Sequence, residues 1–281
     1  MPPKPETSIG HGYVTRRVDR YRHGEHEQTN DAITEEVPAA LIYNDVPFAV
    51  MMVTPLDLDD FALGFSLSEG LIATQEELQS IVVNPRLEGV ELAMRVVSTT
   101  VEDRAGSSGE RLLPGRSGCG LCGARMLEDA VRHPSPVGHG PQIEAAALGR
   151  ALNSLRAAQP VNAATGSVHA AAWVDIDGTI AMVREDVGRH NALDKLIGAM
   201  VKARIDPKSG FLVVTSRASY EMVTKAASAG ITFMAAISAP TALAIHLAES
   251  TGLTLVGFAR PGSYVVYTHP QRLLHAAGAN A

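Results

Sequence analysis

Two short apolar runs, Ala39 to Tyr43 and Phe48 to Val53, are separated by Asn44-Asp45, a pattern that predicts a β-hairpin. Ahead of them the chain is polar to about Asn30, with His23, Glu25, His26 and Glu27 close together, and it reads as a frayed or edge segment. Thr54-Pro55-Leu56-Asp57 predicts a helix start, with Thr54 as cap, Pro55 in the first turn and Asp57 at capping-box spacing. Leu58, Phe61, Ala62 and Phe65 then share one helical face. Strands are expected around Ile81 to Val83 and Val90 to Val97, so the first part reads as α+β.

From about Val101 to Gly123 apolar periodicity is nearly absent, while Gly106, Gly109, Gly115, Gly118, Gly120 and Gly123 recur. Such a long loop is usually either functional or disordered. A short helix is expected over Ala124 to Val131. A longer one is expected over Pro141 to Ala158, with Ile143, Ala147, Leu148, Leu152 and Leu155 on its apolar side. Beyond it strands and helices alternate. Ser167 to Val174 and Thr179 to Val183 read as strands joined by the turn Asp175-Ile176-Asp177-Gly178. A helix follows over Asn191 to Ala203, then a buried strand at Phe211 to Thr215 and a helix from about Ser219. A strand at Phe233 to Ile237, a helix from near Pro240 and strands at Leu253 to Phe258 and Tyr264 to Tyr267 complete the series. Alternation of this kind predicts parallel strands with crossover helices, a three-layer α/β domain from about residue 135. The expected plan is a flexible segment (1–30), a small α+β domain (31–100), a Gly-rich loop (101–123) and a larger α/β domain (124–281).

Composition narrows the class. At roughly 150 residues per domain, 281 residues make one large domain or two small ones. Hydrophobic residues at 46% and charged residues at 19% exclude a disordered or fibrous chain. Aromatics are only 5%, with Trp173 the single tryptophan, so the core must be built from aliphatic residues, alanine and methionine. A net charge of −6 does not advertise general nucleic-acid binding. The first 30 residues carry no long apolar core, so no secretory signal is expected. No charged residue lies between Lys225 and Glu249, but Gly230, Thr232, Ser238, Pro240, Thr241 and His246 interrupt that stretch. It therefore reads as a buried strand, a turn and a helix rather than a membrane span.

The two cysteines, Cys119 and Cys122, are three positions apart. Chance would place a pair that close in only about 2% of such chains, and two thiols make no disulfide framework. The pattern points to a reducing compartment and to thiol chemistry or metal binding. In Arg116-Ser117-Gly118-Cys119-Gly120-Leu121-Cys122-Gly123 a nearby cation and a following helix start would favour thiolate, and the glycines admit a close partner. Other readings stay open at this point. A zinc site would need two further ligands, and thioredoxin-like chemistry would need a strand directly before the motif. The thiols could also be plain loop residues. A zinc deaminase is disfavoured because His169-Ala170-Ala171 lacks the Glu two residues on.

Three strand ends carry polar clusters. Arg184-Glu185-Asp186-Val187-Gly188-Arg189-His190-Asn191-Ala192-Leu193-Asp194-Lys195 lies where a strand hands over to a helix, either as a ligand site around Arg189 and His190 or as a salt-bridged helix start. Thr215-Ser216-Arg217 follows a buried strand, and Phe258-Ala259-Arg260-Pro261-Gly262-Ser263 follows another. Ligands of open α/β sheets bind beyond the carboxyl ends of strands, and arginines with hydroxyls suit a phosphate-bearing ligand.

Together, the Gly-Cys-Gly-Leu-Cys-Gly loop, the Glu185 to Lys195 run and Thr215-Ser216-Arg217 resemble the formate dehydrogenase accessory sulfurtransferase family, FdhD. So do Ile237-Ser238-Ala239-Pro240-Thr241, Gly257-Phe258-Ala259-Arg260 and Tyr267-Thr268-His269-Pro270-Gln271-Arg272, the likeness covering roughly residues 30 to 275. The resemblance implies a larger domain similar to cytidine deaminase. It implies a sulfur carrier that takes sulfur from a cysteine desulfurase as a persulfide. The sulfur passes to the molybdenum (or tungsten) bis-guanine-dinucleotide cofactor needed by formate dehydrogenase. On it Cys119 carries the persulfide and Cys122 is a helper. Phe258, Ala259, Arg260, Pro261, Gly262 and Ser263 match the family's cofactor-binding turn, in which Ala259 replaces a common Cys. Ser216, Arg217, Arg189 and His190 join them as candidate cofactor contacts. A cytoplasmic homodimer is expected, with no resident metal, nucleic acid or membrane partner. The alternative is a non-catalytic chaperone for the cofactor.

Overall fold

Two larger β-sheets of four and six strands, two short strand pairs and the helices packed on the larger sheets make up the described chain. The computed structural model describes residues 11–97 and 134–275. The Gly-rich stretch, Arg116, Cys119, Cys122 and the helix expected at 124–131 lie outside the described residues. The polar opening segment is not a frayed end where described. Strands β1 (Tyr13–Arg22) and β2 (Glu25–Thr34) pair antiparallel along their whole length as a separate ribbon. The edge reading is the one that holds: a two-stranded ribbon need bury neither face, and cross-strand pairs such as Arg20 with Asp31 at 3.2 Å replace the apolar stripe.

The first core forms under a four-stranded sheet ordered β4-β3-β6-β5. Its strands are β3 (Val37–Tyr43), β4 (Val46–Val53), β5 (Leu78–Pro85) and β6 (Val90–Val96). Alternation puts Ala39, Leu41 and Tyr43 of β3 and Leu92, Met94 and Val96 of β6 on one face, against Phe61, Ala62 and Phe65 of helix α1 (Leu58–Ser68). Thr54 does not cap this helix, contrary to the sequence expectation. Asp57 takes the cap position in a left-handed conformation (φ 51°), without a side-chain bond. Thr54 instead is fully buried and turns toward the second half of the chain.

The second sheet has six strands ordered β13-β12-β11-β10-β8-β9. They are β8 (His169–Asp175), β9 (Ile180–Asp186), β10 (Gly210–Val214), β11 (Phe233–Ala236), β12 (Thr254–Arg260) and β13 (Ser263–Val266). A short parallel pair, β7 (Ile143–Glu144) with β14 (Leu273–Leu274), lies apart from it. Only β10, β11 and β12 run parallel; β8, β9 and β13 are antiparallel to their neighbours. The parallel expectation holds for β10 to β12; the hairpin expected at Asp175 to Gly178 forms and makes β8 and β9 antiparallel, while β8 also runs antiparallel to β10 and a second turn at Pro261-Gly262 reverses β13 against β12.

Side-chain alternation splits this sheet's two faces cleanly. Ala172, Val174, Phe211, Val213, Phe233, Ala235 and Val256 pack against helix α2 (Ala145–Ser154). Trp173, Leu212, Val214, Met234, Ala236 and Leu255 pack on the other side. There they meet helices α4 (Arg189–Lys202), α5 (Tyr220–Ser228) and α6 (Ala242–Thr251). These are the three expected layers. Helix α2 starts later than the expected Pro141, because Ile143 is taken by the β7 pairing; helix α3 (Pro160–Thr165) follows it. Among the described residues no helix is long and apolar enough to cross a membrane.

The halves meet where α1 crosses α4. The contact needs glycine on both helices: a Cβ on Gly64 would lie 1.7 Å from the Asp194 carbonyl oxygen, and one on Gly198 2.0 Å from that of Asp60.

Candidate functional site

The strand ends come together along one edge of the six-stranded sheet. Since β10, β11 and β12 are parallel, their carboxyl ends share that edge, and antiparallel β8 contributes its first residue to it. The loops leaving β10 and β11 stay side by side, with Ile237 donating to the Val214 carbonyl at 2.9 Å and Ser238 to that of Ser216 at 3.4 Å. Phe258 donates its N–H to the Ser238 carbonyl at 3.2 Å, extending the ledge to β12. At about 4.8 Å per strand, the four spacings from β12 to β9 make an edge on the order of 19 Å long.

Most of the predicted contacts lie on that ledge, while Ser216 and Ala259 are buried behind it. Arg217 is exposed just beyond β10, ahead of the N-terminus of α5, where Ser219 is an ordinary cap accepting the Met222 N–H at 3.4 Å. Ser216 is nearly buried and its hydroxyl donates to the Arg217 carbonyl at 3.0 Å, so it shapes the loop from behind. Arg260 is exposed, its guanidinium donating to the carbonyls of Ile237 (2.5 Å) and Ala259 (2.9 Å). Phe258 is 49% exposed and left-handed (φ 50°), at a register shift between Gly257 and Arg260. An aromatic residue in that conformation, with half its surface in water, gains little from folding and marks a candidate contact. Ala259 points the other way and is fully buried in the core, so its side chain offers nothing to a ligand. Pro261, Gly262 and Ser263 form the exposed turn, with Gly262 at φ 78°.

The Glu185 to Lys195 run divides by function. Most of it is interior glue. Asp186 pairs with Lys195 at 2.7 Å, both fully buried. The Asp186 carboxylate also accepts from the N–H groups of Thr54 (3.0 Å) and Gly188 (2.7 Å) and from Asn191 (2.9 Å). Lys195 donates to the Thr54 carbonyl at 2.9 Å, and Asn191 to that of Met52 at 2.8 Å. Glu185 accepts the N–H groups of Val161 and Asn162 at the head of α3; burial raises its carboxyl, and those bonds counter it. Asp194 and Lys225 form a second buried pair at 2.9 Å, joined by Ser68 and Glu69. Burial pushes the Asp194 carboxyl up. Burial also acts to lower Lys225, but Asp194 and Glu69 outweigh it and leave the ammonium raised. The salt-bridged helix start is therefore the right reading for Asp186, Asn191, Asp194 and Lys195. Arg189 and His190 remain at the ledge, His190 Nε2 lying 2.6 Å from the Glu221 carboxylate at the start of α5. Glu221, in the first turn of α5, has no place among the residues expected from the sequence.

A mixed α/β sheet whose edge gathers arginines, histidine and exposed backbone turns defines the class, an α/β protein with an anion-suited sheet edge. Comparison with known proteins gives the family. Residues 34–274 match the model of the FdhD/NarQ family, and the chain belongs to that family. A sulfur carrier protein FdhD from Xanthomonas euvesicatoria pv. vesicatoria (strain 85-10) is 56% identical over 268 residues, covering 95% of this chain and 94% of the relative. Another from Cupriavidus necator is 48% identical over 268 residues, covering 94% of this chain and 91% of the relative. The crystal structure of a protein described as a formate dehydrogenase accessory protein, from Desulfotalea psychrophila, superposes with a TM-score of 0.72 at 26% identity, covering 93% of this chain and 99% of that one.

Proposed function

We propose that this chain is a sulfur carrier for formate dehydrogenase maturation. It takes sulfane sulfur from a cysteine desulfurase onto Cys119 and delivers it to the molybdenum (or tungsten) bis-guanine-dinucleotide cofactor, its cargo. In the loading step the Cys119 thiolate attacks the outer sulfur of the desulfurase persulfide. A new S–S bond forms on Cys119, and the desulfurase cysteine leaves as thiolate. Cys122 assists by resolving or shielding the persulfide. The chain works in the cytoplasm as a homodimer.

Family membership and the relatives' names support the sulfur-carrier part. The observation that carries the cofactor part is the sheet edge. Its exposed arginines, Arg217 and Arg260, stand two strands apart, with Arg189 and His190 two strands further on. An edge about 19 Å long suits an extended ligand with several phosphates and flat rings better than a single phosphate. Phe258 offers such a ring an exposed face.

The test is intact-mass measurement of the full chain after incubation with a cysteine desulfurase and cysteine. One added sulfur, removed by reductant and missing from Cys119→Ala, is expected. If Cys119→Ala gains sulfur as readily, through Cys122, the assignment fails. A variant that loads no sulfur yet still activates formate dehydrogenase would establish the chaperone alternative.

A further inference from the structure

His169 enters the sequence argument only as the histidine of a failed deaminase signature. The fold puts it between the two halves of the ledge. On one side it pairs in register with Asp186 of β9, just ahead of Arg189 and His190. On the other, Thr215 clasps the next residue of β8. The Thr215 N–H donates to the Ala170 carbonyl at 3.0 Å, and its hydroxyl accepts the Ala170 N–H at 2.8 Å. Arg217 follows two residues on. The charged groups acting on the ring are Arg189 and His190 from the head of α4 and Asp186 from β9; Glu221 of α5 pairs with His190, and Arg217 stands beyond the end of β10.

We propose that His169 is part of the anion site, contacting the ligand's phosphates in the gap between Arg189 and Arg217. This rests on the reading of the sheet edge as the cofactor site. The placement also gives the contact a proton-linked character. Burial, then Arg189 and His190, hold the ring below its ordinary range, with Asp186 acting against them. A phosphate seated beside Arg189 offsets its charge and accepts a hydrogen bond from the protonated ring. One proton therefore passes from solvent to His169 as the ligand binds, and no bond in the ligand changes. By linkage, affinity rises as pH falls toward the range in which the free ring titrates.

Guanosine diphosphate serves as the probe, titrated into the full chain by calorimetry in two buffers of different ionisation heat. The wild type should take up more protons than His169→Gln. Its affinity should rise about threefold to tenfold between pH 8 and pH 7, while the variant's pH dependence is flatter. In the wild-type protein the His169 ring resonances should titrate at higher pH with guanosine diphosphate than without it, a readout that needs no variant. Equal proton uptake in the two proteins, or a titration unmoved by the nucleotide, overturns the assignment. If Arg217→Ala weakens binding while the proton count matches between wild type and His169→Gln, only the role of His169 falls. If the nucleotide fails to bind the wild type, or binds without regard to Arg217, the reading of the edge falls with it.

Discussion

Replacing Lys225 by Met removes the cation that neutralises a carboxylate with almost no access to water. Asp194 is 1% exposed, and without Lys225 its remaining side-chain partner is the Ser68 hydroxyl at 2.6 Å. Removing one member of a buried pair ordinarily costs about 3–5 kcal/mol. The geometry also sets a ceiling, because Asp194 can escape by taking a proton. An unfolded Asp titrates near pH 3.9, so holding it protonated at pH 7 costs about 1.36 kcal/mol for each of roughly three pH units, or ~4 kcal/mol. At pH 5 the same escape costs only about 1.5 kcal/mol. The loss in Lys225→Met should thus shrink by about 1.5–2.5 kcal/mol between pH 7 and pH 5, measured as the difference from wild type in urea unfolding at each pH. Adding Asp194→Asn should recover much of the pH 7 loss. A loss of equal size at both pH values, or a double variant no more stable than the single one, would refute the view that a stranded Asp194 charge is the cause.

Arg217→Ala and Arg260→Ala should each weaken guanosine diphosphate binding by about tenfold to a hundredfold, the weight of one charge-assisted contact, without changing persulfide loading of Cys119. Unchanged affinity in both would overturn the reading of this edge as the cofactor site. Gly198→Ala tests the helix crossing. Within a helix this change ordinarily stabilises by up to about 1 kcal/mol, but a Cβ 2.0 Å from the Asp60 carbonyl oxygen should reverse the sign and cost about 1–3 kcal/mol in urea unfolding. A neutral or stabilising result would mean the two helices separate freely.

The sequence was most legible where one physical rule acts alone. Strands β8 and β10 to β12, buried on both faces, announce themselves as apolar runs, and Asp175-Ile176-Asp177-Gly178 forms the turn its composition demands. Legibility failed where a residue's partner lies far along the chain. Thr54 has every local mark of a helix cap, yet its hydroxyl accepts the Val187 N–H at 3.1 Å, a demand no local pattern reveals. The Glu185 to Lys195 run looked like a ligand site because charge density alone does not separate a wet cluster from a buried one. Arg217 and Arg260 were expected to share one edge and do so, because strand ends in parallel segments point the same way. His169 was not, since only the antiparallel insertion of β8 brings its first residue there.

The welding of α1 to α4 and α5 also shapes how this chain must be made. Asp60 waits for Arg184, Thr54 for Asp186 and Ser68 for Lys225, separations of 124, 132 and 157 residues. At about 5–20 residues per second, a ribosome takes roughly 10–30 s to supply the last of these. Until then the N-terminal half emerges with buried-type polar groups unmatched and the glycine face of α1 bare. The four-stranded sheet and α1 can close their own apolar core, but these polar contacts and the glycine crossing are completed only when the C-terminal half arrives.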